Sequence, residues 1–138
     1  MTKGGRKPNE GTPVRHRVKP AHDWTEVADV PFTDGPSLRR DIDWPDQTRR
    51  WWKAVSRMPH CSLWQPSDWQ FALDTALVAA VFHDDDIKAA SELRLRERVM
   101  GTTTDTRRDH RIRYVPAEGM QERASVTAIE DYRKRLDA

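Results

Sequence analysis

The stretch Pro66-Ser-Asp-Trp-Gln-Phe-Ala-Leu-Asp-Thr-Ala-Leu-Val-Ala-Ala-Val-Phe-His83 is the longest apolar run in an otherwise hydrophilic chain. It opens with helix-entry chemistry. Pro66 suits the first helical position, where its missing N–H costs nothing. Asp68 falls in the first turn, where the helix dipole favours an acid. Trp69, Ala72, Leu73, Ala76, Ala80 and Val81 recur at helical spacing and form one apolar stripe. Phe71, Leu77, Val78 and Phe82 carry that surface further round the cylinder, so this helix should be covered on more than one side. About 18 residues at roughly 1.5 Å each make a rod of roughly 27 Å. A chain this small offers little to cover its second side. The run is therefore read as a central helix that also meets neighbouring subunits.

On its N-terminal side, Asp43-Trp-Pro-Asp46 begins another helix, with Asp43 as cap and Pro45 in the first turn. That helix should reach about Met58, ahead of Pro59. It turns Trp44, Thr48, Val55 and either Trp51 or Trp52 inward; two adjacent side chains lie about 100° apart and cannot share a direction. Arg49, Arg50, Lys53 and Arg57 lie largely on other faces. On the C-terminal side, Asp84-Asp85-Asp86 caps a third helix from about Ile87 to Met100, which Gly101 stops. Thr102 or Thr103 then starts a short fourth helix carrying Arg107, Arg108, Arg111 and Arg113, with Ile112 and Tyr114 facing in. Pro116 and Gly119 mark a linker. Glu122 to Leu136 repeats Val126, Ile129, Tyr132 or Arg133, and Leu136, an amphipathic helix that needs a surface to dock on.

Ahead of the helices, residues 21–43 read as an extended strap in which Trp24, Val27, Val30 and Phe32 alternate loosely with acids. A lone strand there would have no partner. Residues 1–20 are rich in Gly, Pro and charge and read as a flexible arm. The expected architecture is all-α: a small domain of about four to five helices around the central apolar one. A basic arm (1–20) and an aromatic strap (21–43) precede the helical core (44–115), and a linker with a separate helix (116–138) follows it.

Only 36% of the 138 residues are hydrophobic and 33% are charged, which fits a single domain with polar ends. All six Trp lie in the first half. The single Cys61 excludes an internal disulfide and fits a reducing compartment. No run approaches a membrane span, and the basic N-terminus lacks the apolar core of a secretory signal. Net charge is +2, but residues 1–20 hold six Lys or Arg against one Glu, and residues 92–114 hold seven Arg against four acids. Basic segments around a near-neutral middle point to a polyanionic partner. Arg6, Lys7, Arg15, Arg17 and Lys19 are the first candidates for phosphate contacts, and Arg107, Arg108, Arg111 and Arg113 the second.

Catalytic readings fare poorly. His83-Asp84-Asp85-Asp86 would need a second converging carboxylate cluster to act as a metal-dependent nuclease, and Asp74, Glu92, Glu97 and Asp105 are isolated. A helix boundary explains it better. His60-Cys61 lacks the further ligands of a zinc site and reads as a packed loop. Nucleotide-binding and nucleophile-elbow motifs are absent, so no cofactor or metal is expected. The segment from Gly101 to Ile112 admits a helix-turn-helix, with the arginine helix in a major groove, as in a dimeric regulator. A helical hairpin with a solvated arginine face is the plainer explanation.

The order of these elements resembles the small terminase subunits of tailed bacteriophages, particularly those of actinobacterial phages. The resemblance rests on Gly5-Arg6-Lys7-Pro8, on Trp44-Pro45-Asp46-Gln47-Thr48-Arg49-Arg50-Trp51-Trp52, on Ser67-Asp68-Trp69-Gln70-Phe71-Ala72-Leu73-Asp74-Thr75-Ala76, on Glu92-Leu93-Arg94-Leu95-Arg96, and on Met100-Gly101-Thr102-Thr103 leading to Arg107-Arg108. Two features depart from the family pattern. Thr103-Thr104 stands where relatives often have Pro after Thr, and Asp84-Asp85-Asp86 where many read Gly-Asp. The resemblance implies a non-enzymatic subunit of the DNA-packaging motor in the host cytoplasm. It implies a ring homo-oligomer that recognises double-stranded viral DNA and regulates a large subunit bearing the ATPase and nuclease. Trp51, Trp52, Trp69, Phe71, Leu77, Val78 and Phe82 would then supply core and subunit contacts. The terminal helix would be a dock for the large subunit.

Overall fold

The computed structural model describes residues 23–136. Helix α2 (Pro66–His83) forms over the predicted run. Its entry is closed by the Gln65 backbone N–H, which donates to Asp68 Oδ2 at 2.8 Å. Its most buried stripe is made of small residues, Ala72, Thr75, Ala76 and Ala79. Small side chains let two neighbours approach closely, α1 (Asp46–Val55) and α3 (Ala90–Met100). The larger apolar residues of α2 are displaced to its flanks, and Val81 is 47% exposed. Thr75 is fully buried, and its hydroxyl donates to the Phe71 carbonyl at 2.8 Å, so no polar atom is stranded there. Thr48 on α1 pairs its hydroxyl with His83 Nδ1 at 2.9 Å.

Helix α1 starts later and stops earlier than expected. Pro45, at φ −54° and ψ 144°, itself occupies the N-cap position. Asp43 is therefore too far upstream to cap and instead lies 3.4 Å from Arg49. The helix ends at Val55, and Met58 is already extended at the entry to a 3₁₀ turn, Pro59–Leu63. The paired tryptophans divide as their 100° offset requires. Trp52 is buried, whereas Trp51 is half-buried and donates its indole N–H to Glu97 Oε1 at 2.7 Å, tying α1 to α3.

The strap is fastened by aromatic residues. Phe32 stacks on Trp69 with ring centres 5.7 Å apart. The indole N–H groups of Trp52 and Trp44 donate to the carbonyls of Pro36 and Arg39 at 3.2 and 2.7 Å. At Gly35 a Cβ would sit 2.8 Å from Trp69 Cη2, so the strap passes too close to the helices for a side chain.

Asp86 caps the turn leading into α3 by accepting from the Lys88 N–H at 3.0 Å. Gly101 ends α3 in the left-handed conformation, φ 69°. Helix α4 (Thr104–Asp109) follows, capped by Thr103.

The mainly helical architecture holds, with one addition. Thr25–Ala28 (β1) and Ile112–Val115 (β2) pair in parallel, Thr25 opposite Ile112 and Ala28 opposite Val115. The expected arginine helix is thus cut at Asp109. Arg111, at φ 57°, turns the chain out of α4 and into β2. Part of the strap is a strand after all, because its partner lies far along the chain. Helix α5 (Ala117–Leu136) begins directly after Pro116 and absorbs Gly119, where the sequence suggests a linker; none of its residues is buried.

Candidate nucleic-acid interface

The β1–β2 ribbon places Trp24 and Thr25 beside the segment that carries Arg108 and Arg111. Thr25 donates its N–H to the Arg111 carbonyl at 2.8 Å, so the segment carrying the arm joins the body beside Arg111. Arg6, Lys7, Arg15, Arg17 and Lys19 themselves lie outside the described residues. A shallow cleft of about 450 Å³ opens at this end of the ribbon, between Trp24, α4 and β2.

The four arginines assigned together by sequence do different work here. Arg107 is half-buried. It donates to the carbonyls of Gly101 and Thr102 at 3.1 and 3.0 Å, and its guanidinium lies 4.9 Å from the Tyr114 ring centre. It therefore satisfies the carbonyls of the turn that follows α3, a structural task. Arg113 lies on β2, 5.7 Å from the Trp24 ring centre, and pairs with Glu26 on the neighbouring strand. Glu26 also receives Arg123 from α5. Arg108 is 70% exposed and among the described residues pairs only with Asp105, at 3.5 Å. Arg111 is exposed, and its strained backbone projects it from the turn. Of the four, Arg108 and Arg111 are exposed and lie outside the contacts that hold Arg107 and Arg113. Helix α4 has six residues, about 9 Å of rise, which is short for a helix laid along a major groove.

Beneath this end sits His60, 1% exposed. Its Nε2 lies 2.8 Å from the Met100 carbonyl and its Nδ1 2.6 Å from the Tyr114 hydroxyl. The ring thereby joins the end of α3 to β2. Burial holds its pKa below the ordinary range. Cys61 beside it is also buried, and burial pushes its thiol up to about 12. Such a thiol is unsuited to nucleophilic work. Among the described residues no group of three or more His, Cys, Asp or Glu is placed to hold a metal ion. No described helix is long and apolar enough to cross a membrane.

The residues expected to serve core and subunit contacts also separate. Trp52 is buried, and Trp51 and Trp69 are half-buried against the core. Phe71 is half-buried beneath the Arg96 guanidinium, 5.4 Å from its ring centre. Val78 and Phe82 are half-buried, and Leu77 is 41% exposed. The described residues by themselves fully cover none of Phe71, Leu77, Val78 and Phe82.

A second basic cleft is absent from the sequence-based expectations. Arg49, Lys53 and Arg57 line a space of about 530 Å³ between α1 and the strap. Their spacing of four residues is visible in the sequence. The opposing wall is not, because it is created by the strap's docking.

Comparison with known proteins gives one clear relation. No curated protein and no solved structure matches the chain significantly. The family model described as phage terminase small subunit matches residues 3–137, nearly the whole chain. That family serves the packaging of phage genomes. With a mainly helical fold and a match of this extent, the chain belongs to the phage terminase small subunit family.

Proposed function

We propose that this protein is the non-catalytic, DNA-recognising subunit of a phage packaging motor. In this reading it works in the host cytoplasm, assembles into a ring of identical copies, binds double-stranded viral DNA and regulates a large subunit that carries the catalysis. The observation that carries the DNA assignment is the junction at the ribbon's end. There Thr25, near the start of the described residues, meets Arg111, and Arg108 lies on the adjoining helix; the Lys- and Arg-rich sequence of residues 1–20 precedes this point along the chain. Such cations supply affinity through phosphate contacts. The incompletely covered flank of α2, with Leu77, Val78 and Phe82, supports the assembly of copies.

Binding to duplex DNA at a series of salt concentrations tests the reading. Deleting residues 1–20 should weaken binding and flatten the salt dependence, by about 0.9 in log–log slope for each phosphate that is no longer neutralised. Arg108→Gln/Arg111→Gln should leave about two further phosphates without a cation, on the same scale. A salt slope unaffected by either change would remove this edge from the interface. Native mass spectrometry tests the ring, and a stable dimer would overturn it in favour of a dimeric regulator.

A further inference from the structure

We infer that the cleft between the strap and α1 is a second phosphate track, in which Arg49, Lys53 and Arg57 contact the backbone of one DNA strand irrespective of sequence. This rests on the DNA-binding reading above but concerns a separate surface. Every charged side chain lining the cleft is cationic; no Asp or Glu is among them. The opposite wall adds the hydroxyl-bearing Thr33 and Ser37. A lining of cations and hydroxyl donors suits phosphate oxygens.

The spacing fits as well. Arg49 and Lys53 stand one turn apart on α1, about 6 Å along its axis, and Arg57 follows just past the helix end. That is comparable with the spacing of successive phosphates on a strand. These cations are also available. Among the described residues Arg49 pairs only with the fully solvated Asp43, at 3.4 Å. Lys53 and Arg57 have no ion-pair partner among the described residues. By contrast, Arg107 and Arg113 are held by contacts within the chain.

The cleft is also formed in advance of binding. Trp52 anchors one wall to the other through the Pro36 carbonyl, and the Phe32 N–H donates to the Arg57 carbonyl at 3.1 Å. The two walls therefore need not be brought together when a ligand binds.

The experiment uses the full chain with Arg49→Gln/Lys53→Gln/Arg57→Gln, measured by fluorescence anisotropy on two duplexes of unrelated sequence across a salt series. The expected result is a salt slope lower by about 2 to 3, from about 0.9 per neutralised phosphate. The loss of affinity should be the same for both duplexes, with helical content and assembly mass unchanged. A matched variant, Lys88→Gln/Arg94→Gln/Lys134→Gln, should keep the slope; an equal fall there would mean net charge alone acts and would overturn the track. An unchanged slope in the cleft variant, with normal binding by the parent protein, overturns the track and leaves the DNA-binding reading intact. No binding of either duplex by the parent protein at low salt overturns both. Loss of assembly or of large-subunit binding with the slope intact assigns the cleft to an acidic protein surface and overturns the proposal. Should the triple variant misfold, Lys53→Gln alone must lower the slope by about 0.9, and failure to do so is equally decisive.

Discussion

Replacing His60 with phenylalanine keeps a ring in place and deletes both of its hydrogen bonds. The Met100 carbonyl can only accept, so His60 Nε2 carries the proton across their 2.8 Å contact. Nδ1 is then the acceptor for the Tyr114 hydroxyl at 2.6 Å. The imidazole is neutral with both nitrogens satisfied. Removing it strands a buried carbonyl near the end of α3 and frees a half-buried phenol. Two net hydrogen bonds and one desolvated carbonyl amount to roughly 2–4 kcal/mol, partly offset by the more apolar ring.

The same contacts set a pH dependence. Burial lowers the pKa of His60, the Met100 hydrogen bond opposes that, and the charges of Arg107 and His110 add to the lowering. The folded state therefore prefers the neutral ring, and the unfolded chain binds the extra proton first. The stabilisation is complete above the ordinary value of 6.5 and is lost as pH falls from there toward the folded value. Stability should therefore fall as the pH is lowered from about 7.5 to about 5.5. His83, also lowered mainly by burial, acts in the same direction. Urea unfolding followed by tryptophan fluorescence reads both effects. The reasoning is refuted if His60→Phe lies within about 0.5 kcal/mol of the parent, or if His60→Phe/His83→Asn keeps the parent's pH slope.

Gly101→Ala should cost about 1–3 kcal/mol, because alanine disfavours φ 69° and its Cβ would lie 3.2 Å from His60 Nε2; the urea midpoint should fall with an unchanged m-value. Asp85→Gly should be neutral or stabilising by up to about 1 kcal/mol, since Asp85 already sits at φ 67°; a lowered melting temperature would contradict this. The Cys61 thiol, pushed up to about 12 by burial, should resist a disulfide reagent at mildly alkaline pH in the native protein and react once urea unfolds it.

What is legible from sequence is local. Pro66, Asp68 and the Asp84-Asp85-Asp86 boundary set the ends of α2 within their own few residues, and both ends fall where they indicate. Gly101 stops α3 for the same reason, a backbone conformation that glycine adopts freely. At φ 67° Asp85 occupies a position glycine would take without strain, and aspartate tolerates it better than most residues. The strands are not legible. Thr-Glu-Val-Ala and Ile-Arg-Tyr-Val are four residues each, and parallel pairing at such distance leaves no turn signal between them. The β-branched and aromatic content of residues 112–115 is the one available hint. Arg107 reads as a surface cation in the sequence because its acceptors, the Gly101 and Thr102 carbonyls, come within reach only once the turn forms. The basic cleft on α1 shows the same division: its spacing is in the sequence, and its second wall is tertiary.

The ribbon has a kinetic consequence. Its Glu26–Arg113 pair joins residues 87 apart, and closing a loop of that length costs about 4 kcal/mol in chain entropy. Eight strand residues repay little of that early, so the helices should assemble first and the ribbon should zip last. In hydrogen exchange, amides of β1 and β2 should open at lower free energy than those of α2. Because the segment carrying the arm enters through β1 and α5 leaves from β2, a single opening of this latch would release both ends of the chain together while the helical core stays folded.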